Sequence, residues 1–398
     1  MSDKFRLKIL LPILSIVLCI GFSSCSAEHD EKPRGTLTVA VMGEDASVRE
    51  WVSFYNQEAR QYDIELVDYA QLGGIEALIN DAKTGKGPDI FLLKERTLFS
   101  SGLDTLCVDL LPLLDGDPQF KRETYLQSVL ETSLLDGQLF ALPVDFQIDT
   151  WVITQALDSV QAPFTMAEAK QLLSKADKTC VFSQGAWTRD DLLEWLARYA
   201  ASSMVDVGQK QCSLREDGFT ELLIESKSMP ETAGATAADN GLLDYFILDR
   251  STAYNPVITA NENTQLTGIP VNEGTGSLLS FGTQVGIFSS CDETEAAWEF
   301  VRLALSDDVQ ESCIHIPATE AHFQSWMEAL REEASLSDST EDKLCRLVAE
   351  TNAVSGTFPE AEAIIAWEAA RYYDGLQSAE AAVFAMEQRI EDYLNSEE

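Results

Sequence analysis

Six cysteines lie beyond residue 100, at positions 107, 180, 212, 291, 313 and 345, and the chain has three histidines in all. No two cysteines stand in C-x-x-C spacing, so no tetrahedral metal site is expected. Cys180 and Cys212 are one pair that an oxidising compartment could bridge; the spacing does not fix connectivity, and buried free thiols fit equally well. The chain contains no G-x-S-x-G, no phosphate-cradling glycine loop and no H-E-x-x-H. His315 and His322 flank an Ile-Pro turn and read as structural. No catalytic residue and no cofactor is expected, so the chain is read as a non-enzyme. With 66 acidic residues, a glycosidase carboxylate pair is not excluded by counting.

One cysteine has surroundings that assign it a reaction. Lys4, Arg6 and Lys8 precede an apolar run over 9–22, and Ser23, Ser24 and Cys25 follow. A basic start, a short apolar stretch and small residues before a break describe a secretory signal. The run is shorter than the ~20 residues of a membrane-spanning helix. Phe22-Ser23-Ser24-Cys25 resembles a lipobox, with Phe22 where Leu is usual. A thiolate at Cys25 is a suitable nucleophile for accepting a diacylglyceryl group. Residues 1–24 are therefore expected to be a lipoprotein signal peptide and 25–34 a polar linker. Acyl chains on Cys25 would hold the protein on the outer side of the cell membrane, extracellular or periplasmic.

The formal net charge is −38 over 398 residues. That surface repels phosphate backbones, so no nucleic-acid partner is expected. The length exceeds one core, and two lobes are expected. Thr36–Met42, Ile64–Tyr69 and Asp89–Leu93 are near-continuous apolar runs, as strands buried on both faces require. Ala46–Arg60 and Ile75–Lys83 between them have helical spacing. Strand-helix-strand-helix-strand implies a parallel sheet covered by helices. Gln138–Pro143 and Thr150–Thr154 read as strands flanking a crossing between lobes. The stretch 361–393 reads as helix, broken near Asp374-Gly375, with Ser378 as the next N-cap. Trp51, Trp298 and Trp367 sit at packing positions on helices and are expected in the core.

Several segments, in order, carry a family resemblance. Gly87-Pro88-Asp89-Ile90 resembles a G-x-PD-I/V strand; residues 135–143 (LDGQLFALP) resemble a DG-x-xY/F-ALP stretch. Ala296-Ala297-Trp298-Glu299-Phe300 with Leu305-Ser306 and Gln310, Ile316-Pro317, and Ala369–Gly375 with Ser378-Ala379-Glu380 match three further pieces. Together they resemble the extracellular solute-binding proteins of ABC importers, family 1, the maltose-binding-like branch. The resemblance implies an α/β, two-lobed periplasmic-binding-protein-like fold, each lobe a mostly parallel sheet flanked by helices, with the ligand in the cleft. Lobe 1 would be 35–144 plus 283–322, and lobe 2 would be 145–282 plus 323–398, with hinges near Pro143–Asp145, Gly282 and Ile316–Ala318. The implied function is capture of a small solute, foremost a sugar or oligosaccharide, and its delivery to an ABC permease. The alternatives are a non-sugar solute binder, a surface sensor or adhesin, and a carbohydrate-active enzyme.

A sugar offers hydroxyl rims and apolar faces, so its site needs aromatic platforms edged by carboxylates and amides. Such sites lie beyond the C-terminal ends of strands. The loops there supply Glu44 and Asp45, then Glu95, then Asp145, Gln147 and Trp151 at the crossing. Tyr254, Asn272 and Phe358 complete the candidate set.

Overall fold

The computed structural model describes residues 35–43, 46–57, 60–94, 102–153, 168, 171–172, 180–182, 188–206, 209–216, 218–231, 241–259, 264–268, 276–351, 353–355 and 358–396. The expected signal peptide (1–24) and linker (25–34), with Cys25, lie outside these residues. Among the described residues no helix is long and apolar enough to cross a membrane.

The chain opens on alternating strands and helices: β1 (Gly35–Val41), α1 (Ala46–Gln57), β2 (Tyr62–Asp68), α2 (Gly74–Lys83) and β3 (Ile90–Lys94). β1 pairs in parallel with both β2 and β3, Val39 facing Leu66 on one side and Ile90 on the other. The period of two sends alternate side chains to opposite faces. Leu37, Val39 and Val41 pack with Val48, Trp51 and Tyr55 of α1. Ala40 faces the other way, toward Leu78 and Ala82 of α2. Asp89 ties β3 to β1, accepting the backbone N–H of Thr38 at 2.8 Å and its hydroxyl at 3.0 Å.

β4 (Leu142–Ile153), β5 (Cys180–Phe182), β6 (Gly241–Leu248), β7 (Gln265–Gly268), β8 (Leu278–Ile287), β9 (Ile316–Pro317) and β10 (Ala353–Val354) join the same sheet. Its main path runs β2-β1-β3-β8-β4-β6-β5. Parallel pairs stand at both ends of this path, while β3/β8, β8/β4 and β4/β6 are antiparallel. The reading of two strands around a crossing is thus replaced by one continuous strand. Val144, Phe146 and Ile148 are buried in the core on alternate positions of it. Asp145, Gln147 and Asp149, which look like loop residues, are its other face.

Helices sort into two groups. α5 (Thr294–Val301), α6 (Asp307–Glu311), α7 (Glu320–Ala334) and α8 (Asp338–Ala349) follow β8, and α5, α7 and α8 pack around the core of β1–β3. α3 (Arg189–Ser203), α4 (Phe219–Lys227), α9 (Pro359–Tyr373) and α10 (Ala379–Ser396) form a second core with Trp151 and Ile153. The break between α9 and α10 falls where the sequence placed it: Gly375 has φ +74°, and Ser378 Oγ accepts the N–H of Ala381 at 3.2 Å. The stack of Trp51 on Phe300, centroids 5.2 Å apart, joins α1 to α5 and is worth about 0.5–1.5 kcal/mol beyond its buried area.

One expectation is corrected. Trp367 is 52 % exposed rather than core. The guanidiniums of Arg371 and Arg389 lie 4.8 and 4.6 Å from its ring, so cation–π contact and arginine stems do the covering that a core would do. Of the two readings left open for Cys212, a bridge or a buried free thiol, the structure has the buried free thiol.

Candidate ligand-binding site at the strand crossing

Three segments remote in sequence meet at Asp145. β4 pairs with β8 through Asp145 and Thr283, and with β9 through Asp145 and Pro317. The Asp145 carboxylate, 3 % exposed, accepts the N–H of Thr283 at 2.7 Å on Oδ1 and the N–H of His315 at 3.2 Å on Oδ2. Burial pushes its carboxyl above the usual range, against the opposing pull of the His315 imidazole and the two amide bonds. Gly282 is required here: a Cβ on it would strike Asp145 Oδ1 and His315 Cδ2. A carboxylate shared by two backbone amides thus pins β4, β8 and the approach to β9 together.

The expected site residues are placed as follows. Asp145 and Gln147 share one face of β4. Asp145 is consumed by backbone bonding, while Gln147 stays half-buried and gives its Nε2–H to Asp249 Oδ2 at 3.4 Å. Trp151 is 2 % exposed and meets Trp195 edge-on at 4.9 Å, inside the second core. Tyr254 is half-buried against the first core. Phe358 is half-buried beside the Tyr393 ring, 5.6 Å away and at the start of α9. Glu44, Asp45, Glu95 and Asn272 lie outside the described residues.

Asp249 closes the β6 end by accepting the N–H groups of Ser251 and Thr252 at 2.8 and 2.7 Å. Burial would raise its carboxyl, but these donors hold it below its usual range. Beside it, Arg250 Nη1 donates to the carbonyls of Glu311 and Cys313 at 2.8 and 2.9 Å. The loop after β6 is therefore joined to the segment that leads into β9.

Sequence reasoning missed a cavity of about 240 Å³ beside the crossing. Asp145, Thr283, His315, Trp51, Phe54 and Val309 are among the residues that line it. The i, i+3 spacing of Trp51 and Phe54 on α1 is visible in sequence, but the pairing of α1 with residues 308–315 is not.

No protein-family model and no curated protein matches the sequence. Solved structures match in fold. The sugar-binding protein MalE from the phytopathogen Xanthomonas citri aligns with a TM-score of 0.62 at 17% identity, over 91% of this chain and 98% of that one. An extracellular solute-binding protein family 1 from Alicyclobacillus acidocaldarius aligns with a TM-score of 0.60 at 13% identity, over 92% of this chain and 100% of that one. A cyclic alpha-maltosyl-1,6-maltose binding protein from Arthrobacter globiformis gives 0.59 at 15% identity, over 91% and 100%. The fold is thus the two-lobed α/β fold of these solute-binding proteins.

Proposed function

We propose that this chain is an extracellular substrate-binding lipoprotein that captures a sugar or oligosaccharide and passes it to an ABC permease. The observation that supports this most is the near full-length agreement in fold with binding proteins for such ligands, joined to a lipobox-like Cys25 at the end of a secretory signal. Lobe closure is a hinge motion about a few element-terminal residues. Pro143–Asp145, Gly282 and Ile316–Ala318 are the proposed hinges, because there the chain passes between the expected lobes, 35–144 plus 283–322 and 145–282 plus 323–398. Gln147 is the first side chain proposed to reach the ligand: it is half-buried on the crossing strand, with an amide able both to donate and to accept. Acyl chains on Cys25 would keep the protein at the outer membrane face, beside its permease. Binding without chemistry is part of the proposal.

The test is a thermal-shift and calorimetric panel of mono- and oligosaccharides. A ligand at about 100 times its Kd adds roughly 2.7 kcal/mol of stability, and Gln147→Ala should weaken that ligand. A flat response to every sugar overturns the substrate class; turnover of a glycoside overturns the binding-only reading.

A further inference from the structure

Gln310 is buried and ties the crossing together. Its Nε2 donates to the carbonyls of Val144 on β4 and of Ala304, at 2.8 and 2.7 Å. These two bonds fix the amide, so Oε1 faces Thr319. There it accepts the backbone N–H of Thr319 at 3.3 Å and stands 3.2 Å from its hydroxyl. Thr319, also buried, follows β9 and Ala318, whose own N–H reaches the Val144 carbonyl at 3.2 Å. The Thr319 hydroxyl has a second neighbour, His322 Nδ1, at 2.8 Å. On the other edge of the ring, His322 Nε2 lies 3.4 Å from Asp307 Oδ1. The Asp307 side chain is 90 % exposed, so this end of the chain of contacts meets solvent.

A hydroxyl has one proton to give, and an amide oxygen only accepts. Neutral histidine carries one ring proton, on either nitrogen. The Asp307 carboxylate beside Nε2 selects the Nε2–H tautomer, because a bare Nε2 would set its lone pair against a carboxylate. Nδ1 is then an acceptor and takes the Thr319 hydroxyl proton, leaving Gln310 Oε1 with the backbone N–H alone. A second ring proton turns Nδ1 into a donor. The Thr319 hydroxyl then receives from Nδ1 and gives its own proton to Gln310. The charged ring thus adds one hydrogen bond to the residue that holds β4.

We propose that His322, Thr319 and Gln310 form a proton-operated relay: when His322 gains its second proton, the Thr319 hydroxyl turns to Gln310 and the crossing is tied more firmly. Histidine is the side chain whose charge ordinarily changes between about pH 5 and 8. The elements packed against α7 bring further charged or titratable groups. They are Asp307, Asp308 and Glu311 on α6, Arg122 and Glu123 on the turn at 122–124, and Tyr254. Arg122 is already paired with Asp115. Glu320 lies on the same helix as His322, and Asp145 and His315 lie on the crossing itself. Only the bearing of the relay on lobe closure rests on the proposed function, through the hinges at 143–145 and 316–318.

The test is nuclear magnetic resonance of the nitrogen-15-labelled full chain in detergent, titrated from about pH 5 to about pH 8. The ring nitrogens of His322 should show the Nε2–H tautomer at the upper end and two protonated nitrogens at the lower. The Gln310 side-chain amide and the Thr319 N–H should shift with the same midpoint. Hydrogen exchange of the Ala318 amide, corrected for its intrinsic rate, should be roughly three- to tenfold slower in the acid form, the worth of one hydrogen bond. Thr319→Val keeps the shape and removes the hydroxyl: His322 should still titrate while Gln310 stays still, and Thr319→Ser should restore the coupling. Asp307→Asn puts a donor beside Nε2, so the Nδ1–H tautomer should persist and Gln310 should hold its acid-form signal throughout. That position is exposed enough to serve if Thr319→Val does not fold. Asp145→Asn and His315→Gln should leave the coupling intact, which separates the relay from the titratable groups on the crossing. The proposal is overturned if Gln310 does not follow His322 in the wild type, follows it equally in Thr319→Val, or still switches in Asp307→Asn. These readouts need no ligand, so failure of the relay and failure of the sugar panel are told apart.

Discussion

Asp145 and Thr283, 138 positions apart in sequence, are joined by a 2.7 Å hydrogen bond from a backbone N–H to a buried carboxylate oxygen. The second oxygen takes the N–H of His315, 170 positions from Asp145. A side chain, rather than a ladder of backbone bonds alone, therefore holds the three crossing segments in register.

Asp145→Ala should orphan both amides. At about 1–3 kcal/mol for each unsatisfied donor, the loss expected from the two is about 2–6 kcal/mol. Urea unfolding checks it. An unchanged midpoint would show that the amides find water.

The same residue sets an acid-side trend. Its carboxyl is raised by burial above the unfolded value of 3.8, so the folded state holds its proton more tightly. This contribution is full below the unfolded value and is lost as pH rises through the folded one. Asp145→Asn removes the titration. Its pH–stability curve, subtracted from that of the wild type, should show this loss with rising pH; a flat difference would refute it.

Asp117 behaves in the opposite sense. It is 3 % exposed and accepts from Trp298 Nε1 at 2.9 Å, from Arg302 Nη1 at 3.0 Å and from the N–H groups of Gln119 and Phe120. Burial works to raise its carboxyl, but the donors prevail and hold it below the usual range. Its stabilisation is present above the unfolded value and is lost as pH falls through the folded one. Asp117→Ala should cost about 2–4 kcal/mol at neutral pH, the range for removing a buried, hydrogen-bonded partner of a cation. Thermal unfolding that shifts by less than a degree or so in a domain of this size would count against it.

Gly282→Ala is expected to destabilise by about 1–3 kcal/mol, because the added methyl must displace the Asp145 carboxylate or the His315 ring. Small-angle scattering with and without ligand should also show altered closure if Gly282 is a hinge. A variant of wild-type stability would mean the crossing can spread.

Thiol titration addresses the cysteines. Burial pushes the Cys212 thiol up to about 12 and Cys291 to about 11, and raises Cys107 and Cys313 further. Native protein should react slowly with a disulfide reagent at neutral pH, and rapidly once unfolded. Cys25 is tested separately: labelled palmitate should enter the wild type and be absent from Cys25→Ala.

Strands β1 to β3 and helices α1 and α2 were legible because a period of two or of 3.6 is a local property. The α9–α10 break was legible for the same reason, through Gly375 and Ser378. The crossing was less so. Val144, Phe146 and Ile148 do alternate with Asp145, Gln147 and Asp149, yet three carboxylate or amide side chains in a row of odd positions suggest a loop. Trp367 was misplaced because helical spacing records which face a residue is on, not whether arginines or a core cover it.

The sequence by itself determined the order of the first elements, the two-sided burial of the first strands and the acidic composition. Each is written in residues close together in the chain. Only the tertiary structure decided that Asp145 is spent on backbone amides, that Trp151 lies in a core, and that α1 meets residues 308–315 around a cavity. Those outcomes depend on contacts across more than a hundred residues, which the packing of the whole sheet selects and no local pattern records.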